Sequence, residues 1–317
     1  MKARILVVND NSGAQSRGLV AAIQRRGCET VTASLSAIGF DTESSSGLAV
    51  PGFEDGSLPD AVLVRSISAG SFEAITRRLG VLHALGRLGV PVWNSAKAIE
   101  NCVDKSTTTF LLHQAGLPTP ATFAVEGLAA AQAVVTREAA SGPLVLKPLF
   151  GAQGRGIRLV REMADLPAEE EINGVYYLQR YVARAGPPFR DYRVFVCAGR
   201  VVAMMARRGE DWITNVNRGA TPEHIAEADT ELEALALASA SAVGTAFAGV
   251  DIVADAEGRF FVLEVNSMPA WSGLQSVAQV SIADAIAEAL VEAVDGRPAL
   301  KLVETAPEAE GAAALRG

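Results

Sequence analysis

Short apolar runs recur along this chain, and most have the length of strands. ILVV (Ile5 to Val8), AVLVR (Ala61 to Arg65) and PVWN (Pro91 to Asn94) are the first three. Between them, Leu19 to Arg26 and Phe72 to about Leu88 carry apolar residues at helical spacing, and Gly27 ends the first of these. Strand and helix in alternation predict a small parallel sheet with helices packed on it. Asp41 to Ser57, rich in Ser, Gly and acid, predicts a loop. From Ser95 the order changes. A helix DKSTTTFLLHQAG opens at Asp104 and is stopped by Gly116 and Pro118. PLVLKPL and GIRLV predict two strands joined by a glycine loop. DYRVFVCAG and RVVAMMARR predict two more, followed by an irregular polar stretch to about Pro222. A helix over Asp229 to Val243, an apolar hairpin and a helix over Ile282 to Val294 complete the pattern. The tail Thr305 to Gly317, rich in Ala, Glu and Gly, reads as frayed. The reading is an α/β chain in three units: 1–94, 95–182 and 183–296, with a flexible tail over 297–317.

The hairpin carries the sharpest chemical signal. FFVLEVNSMP (Phe260 to Pro269) is an apolar strand that presents Glu264, skips Val265 and presents Asn266. Residues two apart on a strand point the same way, so two oxygen ligands share one face. AGVDIVAD places Asp251 on a partner strand, and DAEG (Asp255 to Gly258) supplies the turn. Asp, Glu and Asn form a hard oxygen set suited to magnesium. The bland alternative is a hairpin whose polar residues face water.

The glycine loop runs G151-A-Q-G-R-G156. It lacks the Gly-Lys-Ser/Thr of a P-loop, and a strand follows it where a dinucleotide fingerprint needs a helix. What remains is a flap between antiparallel strands, with backbone N–H groups free to cover phosphates. Lys147, between Leu146 and Pro148, wants an anionic partner because burying an unpaired ammonium is costly; a plain hairpin with a solvated lysine is the alternative. Asp104 can cap its helix, and Lys105 either reaches a phosphate or stays on the surface. VYYLQRYV (Val175 to Val182), which leads into RAGPP as an interdomain hinge, is either a strand offering its backbone to an adenine edge or a core strand. RRGEDWITNVNRGA (Arg207 to Ala220) has little hydrophobic periodicity. It is either solvated surface or an anion-binding loop, for which the planar fork of arginine is suited.

Composition narrows the class. Over 317 residues, 49% hydrophobic and 20% charged, the chain is globular and long enough for two or three domains. A net charge of −8 argues against a nucleic-acid partner, while leaving room for a local basic cleft. Cys28, Cys102 and Cys197 are odd in number and widely spaced, which fits reduced thiols in a cytoplasmic protein. The first apolar run is too short for a signal peptide, and no stretch has transmembrane length, so no membrane partner is expected. There is no zinc pattern and no Ser-His-Asp or Cys-His constellation.

Lys105, Lys147 with GAQGRG, QRY, D-Y-R, NVNRG, Asp251 and E-V-N, in this order, resemble the ATP-grasp superfamily, in particular its RimK-type group that joins α-amino acids to carboxylates. The resemblance covers about residues 1–295. It implies a three-domain ATP-grasp fold, a small parallel α/β domain plus two α+β domains that clasp ATP. It implies that Lys105 and Lys147 bind phosphates under the flap of Gly151, Gln153, Gly154 and Gly156. Gln179, Arg180, Tyr181 and Val182 would lie along the adenine, with Asp191 and Asn215 also lining the nucleotide. Asp251, Glu264 and Asn266 would hold Mg2+, for which Mn2+ may substitute. Arg193, Asn215 and Arg218 would be catalytic, and Arg65, Arg207 and Arg218 would meet the substrates: an amino acid, L-glutamate by the likeness, and a carboxylate acceptor. A homo-oligomer, dimer or tetramer, is the implied assembly.

Two departures bear on specificity. Arg180 stands where the family usually has an acid, and Ser267-Met268-Pro269-Ala270-Trp271 replaces the usual Ser-Pro-Gly after the metal Asn. VRSISAGSFEAI and VPVWNSAKAIENCVDKS are similar to the cofactor-glutamylating members, such as tetrahydromethanopterin–glutamate ligase. The chemistry implied is phosphoryl transfer to a carboxylate, then amine attack on the acyl phosphate, giving an amide and ADP. The rival readings are a dipeptide ligase or an amino-carrier ligase of lysine biosynthesis, and a non-catalytic ATP-binding regulatory protein.

Overall fold

A computed structural model describes residues 2–10, 13–54, 56–151, 154–225 and 229–296. In chain order the elements are β1 (Arg4–Val8), α1 (Ala14–Arg25), β2 (Glu29–Ala33), β3 (Gly39–Phe40), β4 (Leu48–Ala49), β5 (Ala61–Val64), α2 (Phe72–Arg87), β6 (Val92–Trp93), α3 (Ala96–Val103), α4 (Lys105–Gln114), β7 (Thr122–Glu126), α5 (Leu128–Glu138), β8 (Leu144–Lys147), β9 (Arg158–Val160), β10 (Val175–Arg180), β11 (Phe189–Cys197), β12 (Arg200–Gly209), β13 (Thr221–His224), α6 (Thr230–Val243), β14 (Phe247–Ala254), β15 (Phe260–Asn266), α7 (Ser272–Gln275) and α8 (Ile282–Asp295).

Three main sheets result. The first is parallel, in the order β2-β1-β5-β6. Both of its faces are covered, which is why its strands read as unbroken apolar runs. Ile5, Val7 and Leu63 pack with Leu19 and Ile23 of α1 and, beyond them, with Ile282, Ile286 and Leu290 of α8. Leu6, Val8, Val62 and Val64 face Val81, Leu82 and Leu85 of α2. The second sheet is antiparallel, β7-β10-β8-β9, and buries one face under Ala131, Val134 and Val135 of α5. The third, β13-β12-β11-β14-β15, is antiparallel and buries Val194, Val196, Val250 and Ile252 under α6.

The expected α/β plan is therefore present, with differences that have physical causes. The region 41–57 contributes β4 to a two-stranded ladder with β3. The polar stretch near Pro222 contains β13, an edge strand paired with β12, whose weak apolar pattern reflects its exposed position. Asp104 caps α4 by accepting from Ser106 N at 2.8 Å, as its sequence position predicts. Cys102 of α3 and Leu112 of α4 belong to the core of the third sheet, so packing crosses the unit boundary drawn between residues 182 and 183. The tail 297–317 and Gln153 lie outside the described residues. The three cysteines are buried and free. Among the described residues no helix is long and apolar enough to cross a membrane.

Candidate active site

The second and third sheets turn their uncovered faces toward one cleft. On the second sheet, alternation sends Leu146 and Leu178 to the core and leaves Lys147, Tyr177 and Gln179 on the cleft side. Tyr177 lies directly opposite Lys147, and Gln179 is its diagonal neighbour. Lys147 Nζ donates to Gln179 Oε1 at 2.6 Å. Gln179 Nε2 donates in turn to Tyr177 Oη at 3.2 Å and Thr122 Oγ1 at 3.1 Å. Burial brings the Lys147 ammonium down to about 8, with Lys105 adding to the effect and Glu264 and Asp251 opposing it. Lys105, the first residue of α4, donates to Leu149 O at 3.3 Å and Gly151 O at 3.1 Å, at the root of the glycine loop.

On the third sheet, register brings charged side chains together. Asp191 pairs with Arg207, Arg193 with Asp251, and Asp251 with Glu264, all as direct cross-strand neighbours. Arg207 grips Asp191 with two bonds of 2.6 and 2.8 Å and reaches Asp251 at 3.2 Å. Arg193 also takes Asp251 with two bonds, one from Nη2 at 2.7 Å and one from Nε. Burial alone would raise the Asp251 carboxyl, but the two guanidinium groups outweigh it and hold Asp251 ionised, at about 2. For Asp191 burial wins, and its carboxyl is raised despite Arg207. Arg207, 4% exposed, is thus engaged by the protein's own acids, whereas the sequence reading placed it against substrate.

The three candidate metal ligands share the cleft. Asn266 Oδ1 accepts from Met268 N at 2.9 Å and keeps a second lone pair. The Glu264 carboxylate makes no hydrogen bond or ion pair among the described residues, although it lines the cavity within the field of Lys147. A half-buried, unpaired carboxylate beside a second carboxylate and an amide oxygen is a donor set that fits magnesium. Among the described residues no group of three His, Cys, Asp or Glu could hold a metal; here the third donor is the Asn amide.

The flap meets the 207–220 loop. A Cβ on Gly154, at φ +70°, would come within 2.8 Å of Asn215 Oδ1, so only glycine lets the flap seat there. Arg218 Nη1 donates to Gly154 O at 3.3 Å and lies near Asp211 at 3.8 Å; it touches the flap without lining the cavity. Gly156 packs against Pro148 behind the flap. Along the hinge, the N–H groups of Arg180 and Tyr181 are taken by Ala121 O and Pro143 O. Val182 N–H has no partner among the described residues. Arg180 pairs with Glu138 at the end of α5. Arg65 is buried at the end of β5, 4.3 Å from the Trp271 ring centroid, bonded to Gln15 Oε1 at 3.2 Å and with its Nε unpartnered. It does not line the cavity, and desolvation lowers it to about 10.

The cavity between the sheets is about 340 Å³. It gathers Lys105, Lys147, Gly151, Gly154, Gln179, Arg180, Tyr181, Val182, Asp191, Arg193, Arg207, Asn215, Asp251, Glu264 and Asn266, and leaves Gly156, Arg218 and Arg65 outside its lining. Arg155, inside the glycine flap, and Arg184, at the start of the RAGPP hinge, also line it; the sequence reading quoted both segments without assigning either arginine a role. Seven basic side chains then face three acids, Asp191, Asp251 and Glu264, in a chain of net charge −8. Such a cleft selects an anion, and several phosphates match it better than one carboxylate.

A family model for the RimK-like ATP-grasp domain matches residues 102–290. The chain belongs to the RimK-like ATP-grasp family. Tetrahydromethanopterin:alpha-L-glutamate ligase of Methanococcus maripaludis is 36% identical over 200 residues, 61% of this chain and 67% of that protein. The enzyme of the same name from Methanosarcina acetivorans is 31% identical over 264 residues, covering 73% and 79%. The ATP-grasp ligase PsnB, solved with a minimal precursor, Mg and ADP, superposes with a TM-score of 0.70 at 24% identity over 92% of this chain and 98% of that one; this likeness is one of fold. The ATP-grasp reading of the motifs and of the fold holds. The protein is an ATP-grasp carbon–nitrogen ligase, and ATP is its nucleotide.

Proposed function

We propose that this ligase adds L-glutamate to a carboxylate of a small-molecule cofactor of the pterin class, with release of ADP and phosphate. The observation that carries the reading is the anion-selecting cleft with an unpaired acid, Glu264, set across from Lys147. The choice of glutamate and of a pterin-type acceptor is supported by the names of the two relatives. A protein C-terminus is the alternative acceptor. The amino-carrier reading has one specific support: alpha-aminoadipate–LysW ligase of Saccharolobus solfataricus is 28% identical over 65% of this chain.

The chemistry balances without an enzyme nucleophile. A carboxylate oxygen of the acceptor attacks the γ-phosphorus, and the bond to the β-phosphate oxygen breaks with its electrons leaving on ADP. The amine nitrogen of glutamate then attacks the acyl carbon and loses a proton, and phosphate departs. Lys147 and Lys105 would bind the phosphates, and the flap seated on Asn215 would exclude water from the acyl phosphate. Asn215 and Arg218 would stand near the acyl centre, Arg193 behind Asp251, and Arg65, held by Gln15, toward the acceptor. Asp251, Glu264 and Asn266 would hold Mg2+, or Mn2+ in its place, which supplies charge neutralisation to the transferring group.

The test is to incubate the protein with Mg-ATP, glutamate and tetrahydromethanopterin, and follow nucleotides by phosphorus NMR and products by mass. ADP with a product heavier by one or more glutamate residues is expected. AMP would overturn the acyl-phosphate mechanism. ADP formed only with α-aminoadipate or a carrier protein would overturn the pterin reading and leave the ligase class intact.

A further inference from the structure

Asn94 follows β6, where the chain leaves the parallel sheet for α3. It has no exposed surface. A buried side-chain amide must be matched on both ends, and this one is matched in full. Its Oδ1 accepts from Ala246 N at 2.6 Å and Phe247 N at 3.1 Å. Its Nδ2 donates to Phe247 O at 2.7 Å and to Ser267 O at 2.6 Å. Two N–H groups on one side and two carbonyls on the other permit a single orientation of the amide. Three of these bonds anchor the start of β14. The fourth reaches a different strand, just past the end of β15, at the residue after Asn266.

That fourth bond acts on the site. Asn266 takes its orientation from Met268 N–H, so its aim follows the backbone path through Ser267. Ser267 is 2% exposed and lies beside the Cys102 thiol of α3. Its carbonyl is held by Asn94. This clamp comes from the segment that links the first sheet to the rest of the molecule. The turn it fixes sets the third oxygen beside Asp251 and Glu264, and it leads into Met268, Ala270 and Ser272, which line the same cavity.

We propose that Asn94 is a positioning residue for the metal–nucleotide site, acting through the Ser267 carbonyl on the aim of Asn266. The inference rests on the reading of Asp251, Glu264 and Asn266 as metal ligands. Residues that orient a ligand without touching the metal change metal affinity by about ten- to a hundredfold when replaced. Asn101 is a matched control. It is 9% exposed, donates to Val243 O at 3.1 Å and ties α3 to the end of α6, with no bond to Ser267 among the described residues.

The experiment measures ADP binding by calorimetry with Mg2+ and again in EDTA, for the parent, Asn94→Asp, Asn94→Ser and Asn101→Ala. Both Asn94 variants are expected to lose about ten- to a hundredfold in affinity for Mg-ADP while metal-free ADP binds within about twofold of the parent. Asn101→Ala should change neither. Equal loss with and without metal, or Mg-ADP affinity within twofold of the parent, would overturn the proposal. A parent that binds ADP with no help from Mg2+ would remove the metal reading itself. Amide exchange in the parent is a check that needs no variant. Met268 N–H should be protected as strongly as the amides of β15, and exchange at the rate of an open loop would sink the idea.

Discussion

Lys147→Met should make the free protein more stable and its nucleotide complex weaker. In the folded chain the ammonium sits at about 8, against 10.5 for an ordinary lysine. That displacement corresponds to about 3 kcal/mol of unfavourable burial. Methionine of similar length removes it but also removes the donor to Gln179, worth about 1 kcal/mol. The net expectation near pH 7 is a gain of about 2 kcal/mol, or a rise of about 4 °C in apparent Tm. The sign of the pH dependence follows from proton counts. Below pH 8 the folded and unfolded parent both carry the proton, so the penalty is fully present. Between about 8 and 10.5 the folded chain releases it while the unfolded chain keeps it, and the parent gains stability. The advantage of the variant should therefore shrink across that window. In the same protein, ATP affinity should fall about ten- to a hundredfold, because a charge-assisted phosphate bond is lost. Thermal denaturation from pH 7 to 10, paired with calorimetric ATP titration, reads both effects. A variant less stable than the parent at pH 7, or one that binds ATP equally well, would refute the argument.

Two further outcomes follow from contacts already described. Glu264→Gln should leave Tm within about 1 °C, since the carboxylate has no partner to lose, yet reduce ADP formation by about a hundredfold or more because an amide is a poor magnesium ligand; turnover within a few fold of the parent would end the metal assignment. Arg218→Ala should lower kcat more than it raises KM for ATP, because Arg218 contacts the flap through Gly154 O and stands outside the cavity lining; steady-state kinetics showing the reverse split would move Arg218 to the nucleotide.

What the sequence made legible was set by range. Glu264 and Asn266 could be read together because strand alternation acts over two residues. Lys147 stood out because a lysine inside an apolar strand is anomalous by itself. The row Arg207–Asp191 and Arg193–Asp251–Glu264 was hidden because it depends on the register of four strands, which no local pattern states. The reading of Arg207 as a substrate contact accordingly left out its pairing with Asp191 and Asp251. Asn94 gave no signal, since its partners lie 152 to 173 positions away. Glu138 likewise pairs with Arg180 from 42 positions off, a contact that no local pattern announces. β13 was missed because an edge strand facing water lacks the alternation that marks its neighbours.

The basic lining of the cleft, inside an acidic molecule, governs how ligands arrive. A polyphosphate approaching a molecule of net charge −8 is repelled on average, and the basic lining of the cleft draws it toward the mouth between the two sheets. A bare divalent cation meets the opposite landscape: attraction outside, and a rim of lysine and arginine at the door. The expectation is that the metal enters bound to the nucleotide, whose charge outweighs its own. The capture rate should fall with ionic strength as the approaching complex is screened, while the departure rate, set by contacts at short range, should barely respond.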